Sequence, residues 1–97
     1  MSAPVTGDIE NLLRAHVANP FFVLALSPAA PAAEVERQAQ RLLSELAAEL
    51  ADARRYRSPV GEHERTPELV RSSVAELRDP ARRLRHEWWA RGMTEPA

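Results

Sequence analysis

Apolar residues along this chain recur at helical spacing in one segment after another. Ile9, Leu12, Leu13 and Val17 fall on one side of a helical wheel, with Glu10, Asn11 and Arg14 on the other. That pattern predicts an amphipathic helix over 8–17, with Thr6 as its cap. The string NPFFVLALSP from Asn19 to Pro28 predicts a very short helix over 20–25. Asn19 can cap it through its side-chain oxygen, Pro20 suits a first position that needs no amide hydrogen, and Ser27-Pro28 stops it. The longest pattern runs from Pro31 to Tyr56, where Val35, Ala39, Leu42, Leu43, Leu46, Leu50 and Ala53 form a continuous stripe with no Gly or Pro inside it. It predicts a helix over 31–56 of about seven turns, roughly 39 Å long, with only Ala30, a poor capper, at its start.

The segment Arg57 to Arg65 is polar, contains Pro59 and Gly61, and reads as a loop. Thr66-Pro67-Glu68 starts a helix over 67–78 that buries Leu69 or Val70, then Val74 and Leu77. Asp79 caps and Pro80 opens a last helix over 80–91, closed by Gly92, with Ala81, Leu84 and Trp88 as its expected core face. Strand-like alternation is lacking throughout, and the apolar run Phe21 to Leu26 is too short and too well capped to argue for a sheet. The expectation is an all-α fold. Residues 8–92 form one small domain, its long central helix packed against the 67–78 helix and an extra amphipathic helix at its amino end, between flexible termini 1–7 and 93–97.

Composition narrows the class of protein. At 97 residues the chain holds one domain, which buries roughly 60 to 65% of its unfolded surface. A net charge of -1 disfavours a protein built to coat nucleic acid, and the absence of cysteine removes disulfides and thiolate metal sites. All 13 basic residues are arginine, which with the abundant alanine reads as bacterial-like base composition. MSAPVTGDIE carries no signal-peptide pattern, and nowhere do 18 apolar residues run together, so the expected location is cytoplasmic, with no membrane contact.

Three segments together resemble a J-domain, the co-chaperone module of the DnaJ type, across roughly Asn19 to Trp88. NPFFVLAL is similar to the family's aromatic-x-x-Leu-Gly-Leu opening, with Phe21 and Leu24 at the aromatic and leucine positions and Ala25 where Gly is usual. Glu34-Val35-Glu36-Arg37 resembles the start of the family's second helix. Leu77-Arg78-Asp79-Pro80-Ala81-Arg82-Arg83 resembles the Leu-Ser-Asp-Pro-x-x-Arg turn before the fourth, and is the most specific match. The family's His-Pro-Asp motif, which engages the heat-shock ATPase, is missing: its place holds Ala47, Ala48 and Glu49, strong helix formers expected to carry the helix through. No displaced copy exists, because His16, His63 and His86 are followed by Val17, Glu64 and Glu87. The face the family presents to its chaperone is basic, whereas Glu34 to Asp52 here holds five acids and two arginines. The resemblance therefore implies a degenerate J-like scaffold that does not stimulate the ATPase.

Candidate contact residues are the aromatics and arginines left over. Phe22 stands where the family usually has a polar residue. Trp89 lies about 100° around its helix from Trp88 and cannot share its face. With Arg82 and Arg85 they form the expected partner-binding set, although the arginines equally suit pairing with the acids of the long helix. The 8–17 helix either covers Phe22 or Trp89 or docks on a partner. Neither a phosphate loop, a nucleophile motif nor a metal-spaced His pair occurs, so no enzyme, cofactor or metal is expected. The expected function is a protein-protein interaction module, an adaptor or assembly subunit that binds another protein, with homo-oligomerisation open. The alternatives are a residual co-chaperone, and a nucleic-acid-binding accessory protein using the arginine-rich last helix.

Overall fold

The computed structural model describes residues 18–94. They form helix α1 (Pro20–Val23), helix α2 (Ala32–Ala47), a 3-10 turn (Ala51–Arg54), strands β1 (Arg55–Ser58) and β2 (Gly61–Glu64), helix α3 (Pro67–Arg78) and helix α4 (Pro80–Thr94). The expected 8–17 helix, the terminus 1–7 and residues 95–97 of the expected terminus 93–97 lie outside the described residues, whereas residues 93–94 belong to α4.

Capping chemistry sets three helix starts as the sequence predicts. The Asn19 side-chain oxygen accepts from the Phe21 amide at 3.0 Å, and Pro20 follows at the first helical position. Thr66 accepts from the Leu69 amide at 3.1 Å, and Asp79 from those of Ala81 and Arg82 at 3.0 and 3.2 Å. Pro31 sits at the cap of α2 and makes no side-chain hydrogen bond there; its carbonyl accepts from the Glu34 and Val35 amides at 3.0 and 3.1 Å.

The long helix expected over 31–56 stops at Ala47. Glu49 turns into the left-handed region at φ 58, where the Leu50 amide donates to the Glu45 carbonyl at 3.1 Å and the Glu49 amide to that of Leu46 at 3.0 Å. These are the two bonds of a Schellman closure. Helix α1 ends the same way one residue past Leu24, with Ala25 at φ 55, the Leu26 amide on the Phe21 carbonyl and the Ala25 amide on that of Phe22. Reversing the chain at Glu49 brings Ala53 and Tyr56 into buried positions. Tertiary burial there overrides the helix propensity of Ala47, Ala48 and Glu49.

The polar segment expected to be a loop is an antiparallel hairpin, which corrects the all-α expectation. Arg55 faces Glu64, Tyr56 faces His63, Arg57 faces Glu62 and Ser58 faces Gly61. Tyr56 alone is fully buried in it, its ring 5.2 Å from that of His63, while Ser58 Oγ and His63 Nε2 lie 2.7 Å apart. Gly61 takes φ 133, which a side chain would strain.

The core joins α1 to α2, α3 and α4. Phe21 and Leu24 meet Val35, Ala39 and Leu42 of α2, Val70, Val74 and Leu77 of α3, and Ala90 of α4. Helices α2 and α3 run antiparallel. Arg78 at the end of α3 grips Glu36 near the start of α2 in a two-pronged pair of 2.9 and 2.8 Å. That pair holds the Glu36 carboxyl below its ordinary value.

Candidate interaction surfaces

Helix α4 is turned the other way from its expected packing. Ala81, Leu84 and Trp88, the stripe read as core, all face solvent; Leu84 is 67% and Trp88 68% exposed. Helix α4 continues through Gly92 rather than ending there, since glycine in a helix is costly by only about 1 kcal/mol. Its inward side carries Arg83, His86, Glu87 and Ala90, the positions of one helical face filled mostly by polar groups.

Hydrogen bonds fix this rotation. The Arg83 guanidinium reaches the Pro28 carbonyl at 3.4 Å and that of Ala30, pairs with Glu87 at 2.8 Å, and lies 5.4 Å over the Phe21 ring. Asn19, wholly buried, donates its amide to the His86 carbonyl at 3.1 Å. The His86 ring meets Glu76 at 3.0 Å. That bond first, and then the charge of Arg82, holds the Glu76 carboxyl below its ordinary value against the opposing effect of burial. Turning the apolar stripe inward would break these contacts and strand a buried amide.

The expected contact residues divide accordingly. Arg82 pairs with Glu76 at 2.9 Å and with Asp79 at 3.8 Å. Arg85 is exposed and has no ion-pair partner among the described residues. Trp89 is half-buried and meets Trp88 edge to face, centroids 4.8 Å apart. Phe22 is half-buried on a different surface, a cavity of about 660 Å³ between α1, α2 and β1 that Leu26, Leu42 and Tyr56 also line. Arg85, Leu84 and Trp88 therefore form one patch, and Phe22 belongs to another.

Arg65 is a structural residue that sequence reasoning missed. Its side chain is buried and donates to the Val23 carbonyl at 2.7 Å and the Ala53 carbonyl at 3.0 Å, with its charge 5.7 Å from the Tyr56 ring centroid. It thereby ties the last turn of α1 to the 3-10 turn. Gln38 completes the closure of α1 by donating to the Leu24 carbonyl at 3.0 Å. Burial lowers the Arg65 pKa, with the charge of Glu45 opposing the shift.

Among the described residues, no group of three His, Asp or Glu side chains is placed to hold a metal ion, and no helix is long and apolar enough to cross a membrane. Compared with protein-family models, curated proteins and solved structures, the chain matches none.

Proposed function

We propose that this protein is a non-catalytic interaction module of the cytoplasm, an adaptor or assembly subunit on a degenerate J-like scaffold, which binds another protein through the outer face of α4. One observation carries the reading: α4 buries its polar side and exposes Leu84 and Trp88. A helix whose apolar stripe is held outward by buried hydrogen bonds has a surface suited to a partner. Trp88 is the natural anchor, because tryptophan is over-represented among residues that dominate binding energy. Arg85 and Arg91, both exposed beside it, favour a partner with acidic groups at the rim.

The place of the family's ATPase-engaging motif supports the absence of co-chaperone activity. Ala47, Ala48 and Glu49 there form the end of α2 and its left-handed closure, and a hairpin follows. Neither the histidine nor the proline of the family occupies those positions, and the acidic side chain there, Glu49, sits on the left-handed closure itself.

The test compares affinity capture by the tagged full chain with capture by Leu84→Asp/Trp88→Asp. Both replaced side chains are exposed, so the variant should melt within a few degrees of the parent. A partner retained by the parent and lost from the variant is expected. Identical retention by both would place binding elsewhere and sink the α4 reading.

A further inference from the structure

Each strand of the hairpin has an outer edge, and that of β1 faces a cavity. The Arg65 amide donates to the Arg54 carbonyl, which makes that pair a hydrogen-bonded one. Bonded and non-bonded pairs alternate along an antiparallel ladder, so Tyr56 with His63 and Ser58 with Gly61 exchange bonds. Arg55 and Arg57 lie between these pairs and turn their backbone groups away from β2. The Arg55 amide is taken by the Asp52 carbonyl. Arg57 presents both its amide and its carbonyl on the outer edge of β1.

The cavity of about 660 Å³ lies along this edge. Arg55, Tyr56 and Arg57 of β1 line it, and Phe22, Leu26 and Leu42 supply apolar surface. Its size is within the range of sites that take a bulky organic group. The charge around it is unequal: Arg41, Arg55, Arg57 and Arg65 stand against Glu45 and Asp52. Arg41 is matched by Glu45 at 3.0 Å. Arg55 and Arg57 share the single carboxylate of Glu62, at 3.6 and 4.0 Å. Glu64 also stands opposite Arg55, so the hairpin's carboxylates lie on β2 and its arginines on β1, the strand that an added segment would meet first.

We propose that an extended acidic segment of another protein adds to β1 as a third strand. It would exchange main-chain hydrogen bonds with Arg57, place one bulky apolar side chain in the Phe22-lined cavity and set flanking carboxylates against Arg55 and Arg57. Main-chain pairing supplies affinity in such strand addition, and the pocket and charges supply selection. Two β1 edges brought together would oppose arginine to arginine, which is how proteins discourage self-pairing at exposed strands. A second copy offering its β2 edge, with Glu62 and Glu64, is the competing occupant, and protection of the Arg57 amide in the free chain would report it. The site is separate from the outer α4 face, since neither Leu84 nor Trp88 lines the cavity.

The experiment uses the isotope-labelled full chain and a short synthetic peptide alternating valine and threonine about one phenylalanine, with an aspartate at each end. Three further peptides serve as controls: one with lysine ends, and two N-methylated on one or the other alternate set of residues. The aspartate peptide is expected to bind and to slow hydrogen exchange at the Arg57 amide. One N-methylated peptide should bind and the other lose about tenfold or more in affinity, because only one set of amides faces the strand. Arg55→Glu/Arg57→Glu, changes at two exposed positions, should reverse the preference between aspartate and lysine ends. No binding, equal binding of both N-methylated peptides, equal binding of both end charges, or an Arg57 amide that exchanges unchanged in the complex would each overturn the proposal. An Arg57 amide already protected in the free chain would overturn it too, because the edge would then be occupied by the chain itself or by a second copy.

Discussion

Caps were legible one residue at a time, and the buried cation was not. Asn19, Thr66 and Asp79 each bond the helix that follows them, as their side chains and the prolines behind them predict. Arg65 looks in the sequence like every other arginine, in a polar stretch between Glu64 and Thr66. Its role comes from carbonyls of Val23 and Ala53, distant in the chain, that meet only after folding. Arg65→Met leaves both buried carbonyls without their donor, an expected loss of about 2–4 kcal/mol. Thermal unfolding followed by circular dichroism should then show a fall on the order of 10–20 °C. Arg65→Lys should recover only part of it, because an ammonium cannot reproduce the planar fork that spans two acceptors. Melting unchanged in Arg65→Met would show that the bonds contribute nothing net.

Elements were legible where a stop signal is written in side chains, and misread where it is not. Helix α3 spans Pro67–Arg78 as its cap and stripe predict. The end of α2 lacks Gly, Pro or any other mark, since the left-handed position falls on Glu49. The hairpin was hidden for a related reason: it buries one apolar side chain, Tyr56, too few to show an alternating pattern. In α4 the stripe of Ala81, Leu84 and Trp88 was seen, but its direction was set by the buried partners of Asn19, Arg83 and His86. The two Schellman closures make a direct test. Ala25 and Glu49 hold φ 55 and 58, a conformation that costs a side chain roughly 1–2 kcal/mol and glycine little. Each of Ala25→Gly and Glu49→Gly should therefore gain about 0.5–1 kcal/mol in urea unfolding, after the added flexibility of the unfolded chain is subtracted. The Glu49 pair with Arg54, exposed and 3.6 Å long, gives up little. A loss at both sites would contradict the left-handed closures.

Across the described residues, the separate local choices leave two surfaces open, the outer face of α4 and the edge of β1. Helices α1 to α3 satisfy their apolar faces among themselves, whereas α4 joins that core through polar contacts and Ala90 and keeps its own stripe outside. The hairpin stacks Tyr56 on the core and leaves the β1 edge along a cavity. The sequence pointed to Trp89, Arg82 and Arg85 of the last helix as contacts and to Trp88 as core, whereas the structure exposes Trp88 beside Arg85 and leaves Trp89 half-buried. The central claim is that the Leu84–Trp88 face is free for another protein. Acrylamide quenching of Trp88 fluorescence tests it most directly, measured in the full chain carrying Trp89→Phe, since the sequence has only these two tryptophans. Emission characteristic of indole in water, with quenching approaching that of a free tryptophan derivative and unchanged on dilution, is the expected result. Blue-shifted emission that resists quenching would show that the chain or a second copy already covers the face, and would contradict the claim.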